Sequence, residues 1–384
     1  MTVLTKYLNF IFVLLALSAC STTTTTNLIK IVPLNQTLFN TDDIEVIAPE
    51  DIFALSEPQK MEFIENYNKR LSNGVLPHDA IYEYIQGRLS NFTYYGETYV
   101  AEKAMRLHKG NCMSLAILTT ALAKLANVEF DYREVSTIPV FEKQNNLLLS
   151  SSHVQTLLYD PTFEQEENTV YFSRPSILID YFPDDNNHAG RIFSIASFLG
   201  MYYKNIASDA LVDNDLDKAF AYANKAYEID PDSAETVNLL AVLHRRKGDL
   251  STAEAIYKAG LSRGHNNLAL LSNYIVLLKS QQRMQEAEAL SLQLDNLDDP
   301  NPYSWLEQAY LAQDKKDYAK AKHFFNKVLD RAPYVSQAYQ GLYQIYLEED
   351  KPYLAKRMLQ QALEWTYEIE ERKLYKYKLY SLNN

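Results

Sequence analysis

Cysteine is almost missing from this 384-residue chain: it has 2, in unlike surroundings, so no disulfide framework is available. Basic residues are in deficit, with 37 Lys and Arg against 49 Asp and Glu, and the net charge of −12 leaves no basic face for nucleic acid. Glycine is scarce at 10, and neither GxxxxGK[ST] nor GxGxxG occurs, which excludes the glycine-rich phosphate loops. The 7 histidines are scattered and no Cys/His group has zinc-ligand spacing, so the sequence calls for no metal and no cofactor. What is present is 47% hydrophobic, with 29 Tyr and 16 Phe, the composition of a globular chain long enough for two domains.

The first residues read as a targeting segment. Lys6 gives a thin positive start, Leu8 to Leu17 is an apolar run too short to span a membrane, and Leu17-Ser18-Ala19-Cys20 closes it with small residues. These features resemble a bacterial lipoprotein signal over 1–20, which implies lipidation of Cys20 and anchoring in the cell envelope. With Ser at position 21 instead of Asp, the resemblance implies the outer membrane, periplasmic side. Ser21 to Asn27 is a polar run without means to pack, so 21–42 is expected to be a flexible tether, with order from about Asp43.

The stretch that organises the next part is His108-Lys109-Gly110-Asn111-Cys112, where a glycine turn delivers a cysteine to an Ala- and Leu-rich helix running to about Asn127. A thiol at a helix N-terminus is expected to have a lowered pKa. Helices are also expected from Ser56 to Leu71, Asp79 to Leu89 and Tyr99 to Leu107, with His78 and His108 at helix edges and outside any catalytic role. Thr137 to Ser152, with Pro139 and Asn145-Asn146, reads as a loop at the mouth of the site. His153 heads a strand, and Ser176 to Phe182 is a second strand carrying Asp180.

The Gly110-Asn111-Cys112 turn, His153 and Asp180, with Thr98 to Ala104 before the cysteine, resemble the transglutaminase-like cysteine enzymes. The resemblance implies an α+β, papain-like core over 43–195. A papain-like protease proper keeps the order Cys then His but spaces them about 130–150 residues apart, far more than here. The implied chemistry is a thioester: Cys112 attacks an amide carbonyl, His153 takes the thiol proton and returns it to the leaving amine, and Asp180 holds the imidazole. Water or an amine then decides between hydrolysis and transamidation. Asp160-Pro161-Thr162 copies the motif that often carries the family's aspartate. In one strand, however, Asp160 lies seven residues and roughly 23 Å from His153, on the opposite face. A hairpin centred between Glu166 and Glu167 instead pairs His153 with Asp180.

The C-terminal half is periodic. Starts at Gly200, Ala234, Leu268, Pro302 and Ser336 are spaced by the 34 residues of the tetratricopeptide repeat, and position 20 is Ala219, Ala253, Ala287, Ala321 and Ala355. A small residue is needed where the two helices of a repeat cross. Trp305, Pro231 and Pro333 fit the same pattern, and Glu368 to Leu382 reads as a capping helix closing an all-α superhelix over 196–384. The whole then resembles a membrane-anchored lipoprotein with a Cys-His-Asp domain and repeats that bind a protein or peptide partner, the two parts having separate cores. The alternative is a non-catalytic, lipid-anchored scaffold or interaction module.

Overall fold

The protein is described by a computed structural model that covers residues 32–89, 93–94, 97–144, 147–165, 169, 171, 173–181, 188–264, 268–295, 301–366 and 369–382. For 89, 93–94, 136–144, 147–153, 188–189, 295 and 369–371 the backbone alone is described. The targeting segment over 1–20, with Cys20, lies outside the described residues.

From Val32 the chain runs as an extended strap with one 3-10 turn, Gln36–Leu38. Helices follow at α1 (Pro49–Ile52), α2 (Glu57–Ser72) and α3 (Pro77–Leu89). The Ser56 N–H donates to Gln59 Oε1 at 3.0 Å, closing the first turn of α2, and Asn73-Gly74 ends it with Gly74 at φ 81°. Next come β1 (Thr93–Tyr94), α4 (Ala101–Leu107), β2 (Lys109–Gly110) and α5 (Cys112–Leu125); β1 and β2 form a short parallel pair. Every residue of α5 from Met113 to Ala123 is buried, as its Ala- and Leu-rich composition, broken only by Ser114, Thr119 and Thr120, demands.

Four strands form an antiparallel sheet: β3 (Phe130–Gln144), β4 (Leu147–Tyr159), β5 (Ser176–Ile179) and β6 (His188–Phe193), in the order β5-β4-β3-β6. Every residue of β4 from Val154 to Leu158 is buried, and Val154 and Leu158 join Ile179, Tyr181 and α5 in one core. The expected loop over Thr137 to Ser152 is instead strand, the outer part of a long β3–β4 hairpin whose register runs to Gln144↔Leu147. Asn145-Asn146 lies outside the described residues. Pro139 sits inside the register shift between Val135 and Val140, since proline has no N–H to give the ladder. Gly190 is required by close approach: a Cβ there would meet the Glu134 carbonyl oxygen at 2.5 Å.

The C-terminal half consists of paired helices. The first pair is α6 (Ile195–Val212) and α7 (Leu216–Ile229); then come α8 (Ala234–Arg246) and α9 (Leu250–Ser262), and α10 (Leu268–Ser280) and α11 (Met284–Asp295). The array continues with α12 (Pro302–Asp314) and α13 (Tyr318–Arg331), α14 (Ser336–Glu348) and α15 (Pro352–Trp365), and a closing α16 (Ile369–Ser381). Four first helices start at the expected residues. All five second helices start 34 apart, and their Ala219, Ala253, Ala287, Ala321 and Ala355 are at most 1% exposed. The turn inside each pair places Asn214, Gly248, Gln282, Lys316 and Asp350 at positive φ, again at the 34-residue step. Among the described residues no helix is long and apolar enough to cross a membrane.

Two expectations are corrected. The chain is packed from Val32, not from Asp43, because Phe39 stacks on Phe220 with centroids 3.9 Å apart. Nor are the cores separate: one cluster runs from Phe39 and Phe63 through α5 and Tyr132 to Leu243. The joint is made by α6, which starts five residues before Gly200 because Ser194 caps it, accepting from the Ser197 N–H at 3.1 Å. The added turn carries Phe198, which stacks on Tyr132 of β3 at 3.9 Å.

Candidate functional site

The turn that presents Cys112 is fixed from several sides. Gly110 takes φ 144°, a conformation that favours glycine. Asn111 caps α5 by accepting from the Ser114 N–H at 3.0 Å, while its amide donates to Thr98 Oγ1 at 2.7 Å and its backbone N–H to the Glu97 carbonyl at 3.2 Å. The Tyr99 N–H donates to Ser114 Oγ at 2.8 Å, tying the segment before α4 to the same turn. Thr98, Ala101 and Ala104 are buried, so the Thr/Ala stretch forms the wall behind the cysteine.

Cys112 is partly exposed and is the free cysteine of the described chain. Its thiol is pushed up by burial and, to a smaller extent, by the Asp180 charge, against the pull of the backbone N–H groups of Met113, Val154 and Cys112. The expected fall in thiol pKa is therefore corrected. Helix-end dipoles favour the thiolate, but the apolar packing that holds α5 against the sheet favours the neutral thiol more.

The contact with Val154 places the sulfur at β4, one residue from His153. His153 stands inside β4 in register with Val135, not at its head, and its side chain lies outside the described part. Asp180 follows the last residue of β5. The pairing Thr156↔Ile179 sets it beside Gln155, two residues along from the expected partner. Step and parity are both informative. His153, Gln155 and Asp180 share one strand parity, so His153 and Asp180 are diagonal neighbours across the pair. The hairpin centre moves by one residue from the expected position, to between Glu167 and Asn168, which lie outside the described residues.

Sequence reasoning missed Gln155. It is 5% exposed and its Nε2 donates to Asp180 Oδ2 at 2.7 Å. The available signal was a polar residue two positions from His153 in an alternating strand. Tyr181, also missed, anchors the end of β5: its buried hydroxyl lies 2.9 Å from Thr119 Oγ1 of α5 and 2.8 Å from Thr156 Oγ1 of β4. Asp160, the copy of the family motif, is placed elsewhere. Its Oδ1 accepts from the Thr162 N–H at 2.8 Å and hydroxyl at 2.7 Å, bonds that hold its carboxyl below the usual range, and His78 lies 3.8 Å away.

A cavity of about 680 Å³ between α2, α3 and α4 is open and polar, but Cys112 does not line it. Its Arg70, Arg88 and Arg106 pair with Glu83, Glu62 and Glu102, so its charges are already matched. Among the described residues no group of His, Cys, Asp and Glu is placed to hold a metal ion.

Tetratricopeptide-repeat family profiles match residues 210–271 and 302–334. Among curated proteins none matches the chain. Solved structures with a likeness include PilF of Pseudomonas aeruginosa, 21% identical over 49% of this chain and 86% of that one, with a TM-score of 0.36. Yeast Tom70 is 17% identical over 48% of this chain and 40% of its own, with a TM-score of 0.39. PilW, described as a widely conserved type IV pilus biogenesis factor, is 15% identical over 48% of this chain and 85% of its own, with a TM-score of 0.32.

Proposed function

With the C-terminal half a tetratricopeptide-repeat array, we propose that the chain is a protein-interaction module whose repeats hold a protein or peptide partner. The supporting observation is the unbroken 34-residue register of second-helix starts, left-handed turns and buried alanines, which builds an extended surface of the kind repeat arrays use for binding. The test is affinity capture with cross-linking, comparing the wild type with Ala321→Trp, which overfills a helix crossing. A partner recovered equally by both does not use the array.

The second reading is an enzyme resembling the transglutaminase-like family, favoured by the approach of the Cys112 thiol to Val154 and the charge of Asp180. In it Cys112 rests as a thiol and His153 acts as general base, so the nucleophile forms only as it attacks an amide carbonyl of a protein or peptide. The sulfur displaces the amine as a thioester, His153 returns the proton to that amine, and water or a second amine cleaves the thioester. The Cys112 N–H at the helix start is the donor offered to the oxyanion, and Asp180, held by Gln155, orients the imidazole. Intact-mass measurement with a cysteine-directed electrophile near neutral pH tests this reading: fast modification confined to Cys112 supports it. Modification no faster than that of an unfolded thiol sinks it.

Anchoring belongs to the same proposal. Lipidated at Cys20, the chain sits on the envelope membrane, and the several acyl chains of such an anchor, at about 0.8 kcal/mol per buried CH₂, give stable attachment. Cys20→Ala is expected to move the protein to the soluble fraction or to leave an uncleaved precursor.

A further inference from the structure

The strap over 32–47 packs apolar side chains such as Val32 and Phe39 into the cores, and side chains of the first two repeats also hold its main chain. Tyr227 Oη accepts from the Val32 N–H at 3.1 Å, His244 Nε2 from the Asn35 N–H at 3.1 Å, and Asp217 Oδ1 from the Asn40 N–H at 3.3 Å. Further along, Tyr222 and Tyr203 donate their hydroxyls to the carbonyls of Glu45 at 3.4 Å and Ile47 at 2.6 Å. This is how a helical surface holds an extended chain without a strand edge to pair with.

Two side chains of the strap are read as well. Asn35 Nδ2 donates to Asp249 Oδ2 at 2.8 Å. Phe39, 6% exposed, lies flat on Phe220 at an interplanar angle of 3° and edge-on to His244 at 5.2 Å. The receiving groups are also held by bonds within the repeats themselves. His244 Nδ1 lies 2.8 Å from the Leu240 carbonyl, which only accepts, so the proton is on Nδ1 and Nε2 is left as an acceptor. The Asp249 carboxylate also caps α9 through the Thr252 N–H. The strap's local structure is two short turns, Gln36–Leu38 and one closed by the Ile44 N–H on the Thr41 carbonyl at 3.1 Å, so most of its order comes from docking.

We propose that this face of the first two repeats is a peptide-docking site in its own right, specific for an extended segment with asparagine four residues before phenylalanine, and that residues 32–40 are its resident occupant in cis. A covalently linked occupant acts at an effective concentration in the millimolar range for a short connection, so an outside segment of the same chemistry competes poorly until the strap is unseated. The site therefore takes a partner in trans only when residues 32–40 are drawn away. The proposal does not depend on the chemistry of Cys112.

The test uses the full chain and a fluorescent peptide with the sequence of residues 32–42. Two variants unseat the strap without touching the repeats: Phe39→Asp removes the stacked ring, and Asn35→Asp sets a carboxylate against Asp249. Amide exchange at Val32, Asn35 and Asn40 is expected to quicken at least about tenfold in both. The peptide is expected to bind both at least about tenfold more tightly than the wild type. Peptides carrying the same two substitutions are expected not to bind. The proposal is overturned if the unseated variants show no saturable binding, if the strap stays protected in both, or if either variant unfolds the repeats and so makes the strap part of their core.

Discussion

At Cys112 two effects of one placement oppose each other. The start of α5 offers N–H groups that favour the thiolate, and the packing that makes α5 a core helix desolvates it. The charge of Asp180 raises the thiol pKa. In the proposed Cys-His-Asp reading Asp180 would also support an imidazolium of His153, which would lower it, and substitution separates the two. If the Cys-His-Asp reading holds, Asp180→Asn raises the apparent pKa of Cys112 in a rate–pH profile of alkylation. A fall instead means that the aspartate acts on the thiol directly and that no imidazolium is coupled to it. Asp160→Asn is expected to stay near wild type, since that carboxylate is spent on Thr162. The residue types of the candidate site were legible from the sequence because chemistry restricts them to a few positions. Gln155 was not, because its role rests on a strand register set by tertiary packing.

Among the elements, α14 shows how tightly the array is closed. A Cβ on Gly341 would sit 2.1 Å from the ring of Phe325, itself fully buried in α13. Gly341→Ala therefore overpacks the crossing, which costs about 1–3 kcal/mol and outweighs a gain in helix propensity of at most about 1 kcal/mol. Gly87 in α3 is the control, with nothing within 4 Å of the added carbon. Gly87→Ala is expected to raise the thermal midpoint by the propensity gain, of order 0.5–1 kcal/mol, while Gly341→Ala lowers it. Equal shifts in the two melting curves would contradict the close crossing. The alanines of the repeats announced their crossings in the sequence. Gly341 did not, because it answers to Phe325 of the neighbouring repeat and not to the repeat pattern.

For the whole molecule the decisive fact is the core shared by the cysteine-bearing half and the first repeats. Phe198→Ala removes the ring stacked on Tyr132, a loss of about 3–5 kcal/mol for a buried aromatic. Burial of Cys112 and helical signal are then expected to disappear in one transition at a lower temperature. Ala321→Trp, in the separate core of α12 to α14, should leave Cys112 as protected as in the wild type. Two resolved transitions in Phe198→Ala would refute a shared core.

The seat of the strap on the first two repeats carries a pH dependence through His244. Burial lowers the pKa of His244 from its ordinary 6.5 against the pull of the Leu240 carbonyl, Asp249 and Asn35, so the unfolded chain binds the proton more readily. Its contribution to stability is full above about pH 6.5 and is lost as pH falls through the lowered folded value. The imidazolium also gives up the acceptor for the Asn35 N–H. The charges around it are Asp249, which holds Asn35, and the pair of Lys247 with Asp217 at 2.6 Å. His244→Gln is expected to flatten the wild-type loss of thermal stability between pH 7 and pH 5; an unchanged slope would assign that loss to other groups.

The amino-acid sequence by itself determined the repeat phase, the buried helix behind Cys112 and the strands that carry His153 and lead to Asp180, because 34-, 3.6- and 2-residue periods are local consequences of backbone geometry. It did not determine that Thr137 to Ser152 is strand, because the same residues read equally well as a loop until β3 and β4 are seen paired. Tertiary structure alone decided three things: the two-residue step that puts Asp180 against Gln155, the stack of Phe198 on Tyr132, and the seat of Phe39 on Phe220. Each joins residues far apart in the chain. Such contacts are chosen by which apolar faces and polar groups remain unsatisfied once every local element has formed, and no period or motif within one element records that choice.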